Sequence, residues 1–168
     1  PNPGLCVGDT VALMSLPIDS SCSCVWHGPE NFTAIGEQIW YYAADTLSKG
    51  WLVVEQLNTG CPTAVKDSIY VNVLPLPQVV ISTLDTVCAG DTVEVKITAF
   101  GADTVHFNLQ HTFAGIQSSQ TLSVSAQDTL SLFFPIETEN SFWISQANDL
   151  YCTRNQHDTV QVTPYPVT

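Results

Sequence analysis

The amino-acid sequence predicts an all-β chain of two tandem sandwich domains. Cys-Val-Gly-Asp-Thr-Val at residues 6–11 returns as Cys-Ala-Gly-Asp-Thr-Val at 88–93, a spacing that matches one small domain. Short segments rich in Val, Ile, Thr and aromatic residues alternate with Gly, Pro, Asn and Asp along the chain, without helical periodicity. A length of 168 residues allows two domains, which we place at residues 1–76 and 77–168.

The second domain contains seven segments with the length and alternation of strands, the number typical of an immunoglobulin-like sandwich. We expect them at 78–83, 92–99, 104–110, 120–125, 129–134, 142–147 and 158–163. The first domain gives strands at 10–16, 23–27, 38–44, 51–57 and 67–74, and its first strand is short or missing before Cys6.

A Pro-x-Pro step follows the last predicted strand of each domain, at residues 75–77 and 164–166. Proline stiffens such a connection without helical or ladder hydrogen bonds. We therefore expect a rod-like arrangement of the two domains, in which residues 164–168 begin a linker to a further domain.

Charge and composition exclude several classes of function. The formal net charge is −12, with only four Lys and Arg residues, whereas nucleic acids and anionic membranes require basic partners. The chain has no apolar run of about 18 residues, so we expect no direct membrane insertion. Six Cys residues favour an oxidising location. We therefore predict an extracellular or cell-surface protein that binds no nucleic acid.

Three patterns resemble the tandem immunoglobulin-like and PKD-like repeats of large surface proteins from gliding bacteria with type IX secretion. They are the Cys-x-Gly-Asp-Thr-Val turn, Trp26-His-Gly-Pro-Glu-Asn-Phe32, and Thr59-Gly-Cys61 before the final strand. The second copy is looser, because it lacks Trp-x-Gly-Pro and has Tyr151-Cys152 in place of Gly-Cys. The resemblance implies a structural, spacer or adhesin-like role, and it transfers no catalytic residue.

The cysteines do not have the positions of an ordinary immunoglobulin disulfide. Cys6 and Cys88 lie at the turn entering the second strand, whereas Cys61 and Cys152 precede the last strand, at the opposite end of the predicted sandwich. A strand of seven or eight residues spans roughly 25 Å. That length exceeds the Cα separation of about 4.4–6.8 Å that a disulfide tolerates.

Two disulfide patterns remain open. We favour an interdomain bridge from Cys6 to Cys152, with Cys88 paired beyond residue 168 and Cys61 close to Cys22 and Cys24. The alternative is pairing within each repeat: Cys6 with Cys61, Cys88 with Cys152, and Cys22 with Cys24. A zinc site at Cys22 and Cys24 is disfavoured, because only His27 is nearby as a further ligand.

Asp followed by Thr or Ser and an aliphatic residue occurs eight times, where composition alone predicts about one. Asp favours turns and β-branched residues favour strands, which explains part of the excess. The triplet also resembles the O-glycosylation acceptor of the same bacteria. If the aliphatic residue faces the core, the hydroxyl faces water. The candidate acceptors are Thr10, Thr46, Ser68, Thr86, Thr92, Thr104, Thr129 and Thr159.

Candidate catalytic groups are scattered. The four His residues, at 27, 106, 111 and 157, show no local arrangement with a nucleophile and a carboxylate, and Glu137 and Glu139 lie in a turn. We expect a solvated His106, no enzyme activity, no cofactor and no metal. Calcium is disfavoured because the chain has no Asp-x-Asp-x-Asp run.

An exposed aromatic face is the alternative basis for function. Trp40, Tyr41 and Tyr42 are consecutive, so at least one ring points away from a sandwich core. Such rings can stack on sugars or bind a protein. Trp26 is instead the expected core Trp. The expected partners are neighbouring immunoglobulin-like domains of the same chain, together with surface glycans or other surface proteins.

Overall fold

A computed structural model describes residues 4–16, 23–57, 65–83 and 86–165. The chain divides into two compact units, Pro1–Pro75 and Leu76–Thr168, called unit 1 and unit 2 below. Strands make up almost all of the described regular structure; two three-residue 3₁₀ turns, Pro29–Asn31 and Thr46–Ser48, are the exceptions. The predicted all-β fold is confirmed.

Unit 1 contains eight described strands in two facing layers. Strands β3, β4, β6 and β7 form an antiparallel sheet in the order β4-β3-β6-β7, β2 pairs with β5, and β1 pairs with β8 in parallel. The strands are β1 (Leu5–Cys6), β2 (Thr10–Met14), β3 (Ser23–His27), β4 (Thr33–Ile35), β5 (Gln38–Tyr42), β6 (Gly50–Leu57), β7 (Val65–Val71) and β8 (Val73–Leu74).

Unit 2 contains nine described strands, β9 to β17. One sheet has the order β9-β11-β14, and the other has the order β10-β17-β15-β12-β13, with β16 beside β15. The strands are β9 (Gln78–Ser82), β10 (Thr86–Cys88), β11 (Thr92–Phe100), β12 (Val105–Phe113), β13 (Ile116–Val124), β14 (Thr129–Pro135), β15 (Asn140–Asn148), β16 (Thr153–Asn155) and β17 (Thr159–Tyr165).

Each unit has its own hydrophobic core, formed by alternate residues of its two layers. In unit 2, Val95, Phe107 and Ile144 are almost completely buried. In unit 1, Trp26 and Leu52 occupy the equivalent interior, and the Trp26 indole Nε1 donates a hydrogen bond to the Gly36 carbonyl at 3.0 Å. Trp26 is therefore the core Trp expected from the sequence.

The strand positions differ from expectation at the hairpin of unit 2, at Pro164 and at several short strands. The predicted strands at 104–110 and 120–125 left residues 111–119 unassigned, but β12 and β13 extend through them as a long hairpin joined at Ala114 and Gly115, with φ of 48° and 79°. Positive φ at both central residues matches a tight type I′ hairpin turn. Pro164, expected in a joint, lies inside β17 opposite Val87 of β10. The short strands β1, β4, β10 and β16 were too brief to show alternation.

The repeated Cys-x-Gly-Asp motif forms the same tight turn in both units. The Asp9 amide donates to the Cys6 carbonyl at 2.9 Å, and the Asp91 amide donates to that of Cys88 at 3.0 Å. The glycine at the third position has φ of +94° in unit 1 and +91° in unit 2. A four-residue turn with positive φ at its third position requires glycine or a close substitute.

Each turn is also hydrogen-bonded to the residue directly after a strand of the same unit, β5 in unit 1 and β14 in unit 2. Gly8 donates to the Ala43 carbonyl and Ala43 donates back to Asp9, at 2.8 and 2.9 Å. In unit 2 the same pair of bonds joins Gly90 and Asp91 to Ile136, both at 2.8 Å. Ala43 and Ile136 are completely buried. The repeat is therefore explained by backbone geometry that both cores need.

We expect Gly90→Ala to destabilise unit 2 by about 1–2 kcal/mol, because a Cβ is strained at this positive φ. The space beside Gly90 is open, so a steric clash adds nothing to the strain. Thermal unfolding by calorimetry measures the effect. Gly101→Ala is not a suitable control, since a Cβ there meets Val105 at 3.0 Å. Ala89→Gly, which keeps glycine at position 90, is the matched control. Equal losses of stability in both variants would contradict a requirement for glycine at position 90.

Gln156 closes one edge of the smaller sheet of unit 2. Its side-chain amide accepts a hydrogen bond from the Val79 amide at 3.0 Å and donates to the Val79 carbonyl. Val79 belongs to the edge strand β9, whose outer backbone groups would otherwise lack a partner at this point. Gln156 is 5% exposed. Its buried side chain therefore supplies the hydrogen bonds that a neighbouring strand would otherwise make to Val79.

Candidate binding face and modification sites

Alternation along β5 sends three consecutive aromatic rings in two directions. Trp40 is 66% and Tyr42 58% exposed, whereas Tyr41 is only 3% exposed. The prediction that at least one ring points outward is correct for Trp40 and Tyr42. The prediction of Tyr41 as a surface ligand residue is wrong, because the two-residue period of a strand places it in the core.

Tyr41 has a structural role that its neighbours lack. Its ring makes an edge contact with Phe32, with centroids 4.9 Å apart, and its hydroxyl donates to the Ser48 carbonyl. Burial raises the pKa of the Tyr41 hydroxyl above its ordinary value. The side chain thereby connects β5 to the Thr46–Ser48 turn, which Asp45 caps through the amides of Leu47 and Ser48.

The outward rings belong to a small apolar surface on the β2–β5 sheet. In the register of this pair, Ala12 lies opposite Trp40 and Thr10 lies opposite Tyr42. Met14, two residues beyond Ala12, is 69% exposed. We call Ala12, Met14, Trp40 and Tyr42 the aromatic face. Because Ala12 is small, it leaves the side of the Trp40 ring open.

A second exposed aromatic pair lies on the other sheet of unit 1. Trp51 and Tyr70 are register partners on β6 and β7, 60% and 40% exposed, with ring centroids 5.4 Å apart. This pair was not predicted from the sequence. The signal was available, since Trp51 alternates out of phase with the core residues Leu52 and Val54.

The hydroxyl residues of the Asp-Thr/Ser-aliphatic triplets lie at the surface. Seven are exposed, and Thr104 is half-buried at the entry to β12. The exposed residues are Thr10, Thr46, Ser68, Thr86, Thr92, Thr129 and Thr159. Their following aliphatic residues point inward or are partly covered, with the exception of Leu47, which is 68% exposed.

The Asp of several triplets hydrogen-bonds locally. The carboxylates of Asp67, Asp103 and Asp128 each accept from the amide of the next residue, at 2.7, 2.8 and 2.8 Å. Asp9 instead accepts from the Cys6 amide at 2.8 Å. Asp therefore satisfies a backbone donor where a strand begins, which gives the triplet a structural use whether or not the hydroxyl carries a sugar.

Four of the six cysteines lie within the described residues. Cys6 and Cys152 are both disulfide-bonded. Cys24 is buried and Cys88 exposed, and both are free. The pairing of Cys88 with Cys152, and that of Cys22 with Cys24, are therefore not formed. Cys22 and Cys61 lie outside the described residues.

The remaining candidate His and Glu residues lie mostly at the surface of the described ranges. His27, His106 and His157 are exposed, as are Glu137 and Glu139. No three His, Cys, Asp or Glu side chains of the described chain come together as metal ligands. Neither helical turn in the described part has the length or apolarity of a membrane span.

Two facing sheets, with the first short strand joined in parallel to the last, define each unit as an immunoglobulin-like β-sandwich. Two solved structures are similar to the whole chain. The three N-terminal domains of the highly immunogenic outer capsid protein of bacteriophage RB49 have 12% identity and a TM-score of 0.55, with 100% of this chain and 68% of that chain covered. The titin I-band fragment I67–I69 has 7% identity and a TM-score of 0.53, with 97% and 62% covered.

These likenesses show the fold alone, because the identities are low. No protein-family model matches the sequence, and no curated protein does.

Proposed function

We propose that the chain is a pair of non-catalytic spacer repeats of a long extracellular or cell-surface, adhesin-like protein. The observation that supports this proposal best is the parallel pairing of a short strand near the start of each unit with the last strand of that unit, β1 with β8 and β10 with β17. Because parallel neighbours run in the same direction, β1 and β10 begin at the end of their sandwich opposite to the end where β8 and β17 finish. Each unit therefore adds its own length to a series of domains.

The same pairing suits a unit that bears tension. In unit 2, Thr86, Val87 and Cys88 pair with residues 163–165, and the Ala89 amide adds a bond to the Tyr165 carbonyl at 2.9 Å. Tension on the two ends of the unit pulls parallel strands past each other, so their hydrogen bonds are loaded together. The resemblance of the repeats to surface proteins of gliding, type IX-secreting bacteria supports a location outside the cell.

A disulfide between Cys6 and Cys152 is part of the proposal. Both residues are disulfide-bonded, whereas Cys24 and Cys88 are free. The exposed Cys88 thiol remains available for a partner beyond residue 168, as the sequence pattern suggests. A covalent link of this kind would constrain a spacer, and it requires the oxidising location proposed here.

We also propose O-glycosylation of the exposed triplet hydroxyls. Their exposure and their position at strand entries support it, since an added glycan would project into water and shield nearby strand edges. Intact-mass measurement of protein from the native host should show hexose-sized additions, and proteolysis should assign them to peptides with the triplet. Recombinant protein from a host without the pathway is the control. An unmodified native mass would overturn this part of the proposal.

A carbohydrate-binding or adhesive module is the second candidate, favoured by the aromatic face. Trp40 and Tyr42 are two residues apart on one strand, so their Cα atoms are separated by about 6.6 Å. Exposed rings at this distance can stack on neighbouring faces of a sugar or pack against a protein. The small Ala12 opposite Trp40 leaves room for such a ligand.

We expect a glycan array to separate the two functions. A spacer should give no specific binding signal on the array. A binding module gives specific signals that Trp40→Ala reduces at least 10-fold, in line with the loss of one well-packed aromatic anchor. Trp51→Ala, on the other sheet, is the matched control and should leave the signals unchanged. Specific signals that survive Trp40→Ala would exclude the aromatic face as their origin.

Thr10 connects the two proposals. It is a candidate glycan acceptor and the register partner of Tyr42, so their Cβ atoms lie about 4.5–5.5 Å apart. A glycan on Thr10 would cover the Tyr42 ring and block a ligand. Thr10→Val protein from the native host should therefore bind better than wild type if both proposals hold.

A further inference from the structure

Unit 2 contains a cleft of about 310 Å³ that none of the proposed functions uses. It opens between β14 on one side and strands β12, β13 and β15 on the other. Apolar and polar groups share its lining: Phe113, Ile116, Phe134, Phe142, His111 and Asn140. Phe113 is 38% and Ile116 69% exposed, so apolar side chains stand at its mouth.

The topology explains why this side of the sandwich is open. Strand β13 pairs only with β12, and β14 pairs only with β11, in the described sheets. The chain passes from β13 to β14 through residues 125–128, too short a connection to form a strand between them. Within the part of the chain that the structure describes, no strand covers the gap between β13 and β14.

Two polar atoms at the cleft lack a hydrogen-bond partner. The Nδ1 atom of His111 and the Oδ1 atom of Asn140 are buried and unpaired. Asn140 is 2% exposed, and its Nδ2 donates to the Thr138 carbonyl at 3.1 Å. That bond fixes the orientation of the amide, so Oδ1 is an unmet acceptor. Buried groups of this kind are rare in folded proteins and call for a specific explanation.

The register places the two side chains side by side on one face of the sheet. His111 pairs with Phe142, so Asn140 is its diagonal neighbour on the same face of the sheet. The Cα atoms of such neighbours are separated by roughly 7–8 Å. The rings around them form a cluster: His111 lies 5.4 Å from Phe134, and Phe134 lies 4.9 Å from Phe142, measured between centroids.

We propose that this cleft binds a phenolic ring. One hydroxyl supplies one donor and one acceptor, so it donates to Asn140 Oδ1 and accepts from His111 in the tautomer that carries hydrogen on Nδ1. The ring enters the cluster of Phe134, Phe142 and His111, where edge and offset contacts between aromatic rings are favourable. The cleft is large enough, since a cavity of about 150 Å³ holds benzene.

Chemical-shift titration of the full 168-residue chain tests the site. The probes are p-cresol and toluene, which differ in the hydroxyl, and the observed signals are those of His111 and the phenylalanine rings. We expect p-cresol to bind about 5–10-fold more tightly than toluene, which corresponds to one net hydrogen bond. N-acetyltyrosinamide is the third probe: binding of it indicates a tyrosine side chain as the natural ligand, and its exclusion indicates a free phenol.

The double variant His111→Phe, Asn140→Leu should lose the preference for p-cresol and still bind toluene. The variant replaces both unpaired groups with apolar ones, and the Thr138 carbonyl, which loses its bond from Asn140, belongs to an exposed residue that water can reach. The variant should therefore remain folded, as its amide spectrum will show. His106→Phe, on the exposed face of the same strand, is the control and should keep the preference. Equal affinity for p-cresol and toluene in wild type, or no shift at the cleft with either, would overturn the proposal.

Discussion

Phe107→Ala is expected to lower the free energy of unfolding of unit 2 by about 3–5 kcal/mol. Phe107 is 1% exposed, and it lies on β12, which has β13 on one side and β15 on the other. Removing a large ring from this position leaves a cavity that neighbouring strands cannot close without breaking their ladders. Hydrogen exchange in increasing denaturant, read from β12 and β15 peptides, measures the loss.

Two matched variants test whether the cores are separate. His106→Ala, an exposed neighbour on the same strand, should change stability by less than about 0.5 kcal/mol. Leu52→Ala removes a completely buried side chain from unit 1 and should accelerate exchange in unit 1 peptides. No residue of one core cluster belongs to the other. A Phe107→Ala variant that lost less than about 1 kcal/mol would contradict the core assignment.

The proposed Cys6–Cys152 disulfide gives the second large effect. Non-reducing proteolysis should release one linked peptide that contains both residues. Reduction should lower the free energy of unfolding by about 4 kcal/mol, because the link closes a loop that includes most of the chain. Cys88→Ser, which removes an exposed free thiol, should leave both the map and the stability unchanged. A linked peptide that joins Cys6 to Cys61 would refute the interdomain pairing.

Much of the fold was predictable because strand alternation is a local signal. The strands around Val93, Val95 and Ile97, and the burial of Trp26, follow from the two-residue period. The sequence predicted the inner halves of β12 and β13 but not the outer half of their hairpin, which is largely polar and mostly exposed and so carries no core pattern. The pairing of Pro164 with β10 was missed since it depends on a strand of only three residues.

The candidate sites were less accessible to sequence reasoning. Alternation showed that Tyr41 points to the opposite face of the strand from Trp40 and Tyr42. Which of the two faces is buried depends on the layer that covers β5. The cleft in unit 2 could not be predicted, because His111 and Asn140 become neighbours only through the register of β12 and β15. Exposure of the triplet hydroxyls was predictable, since the hydroxyl and the aliphatic residue are consecutive on a strand.

Single-molecule force measurement tests the spacer function most directly. The chain is held at its two ends in reducing buffer, so that no disulfide limits its extension. The parallel pairs β1–β8 and β10–β17 predict two separate unfolding steps, each releasing the extended length of one unit, at about 3.3–3.6 Å per residue. Continuous lengthening at low force, without discrete steps, would show that the units do not bear load and would contradict the proposed function.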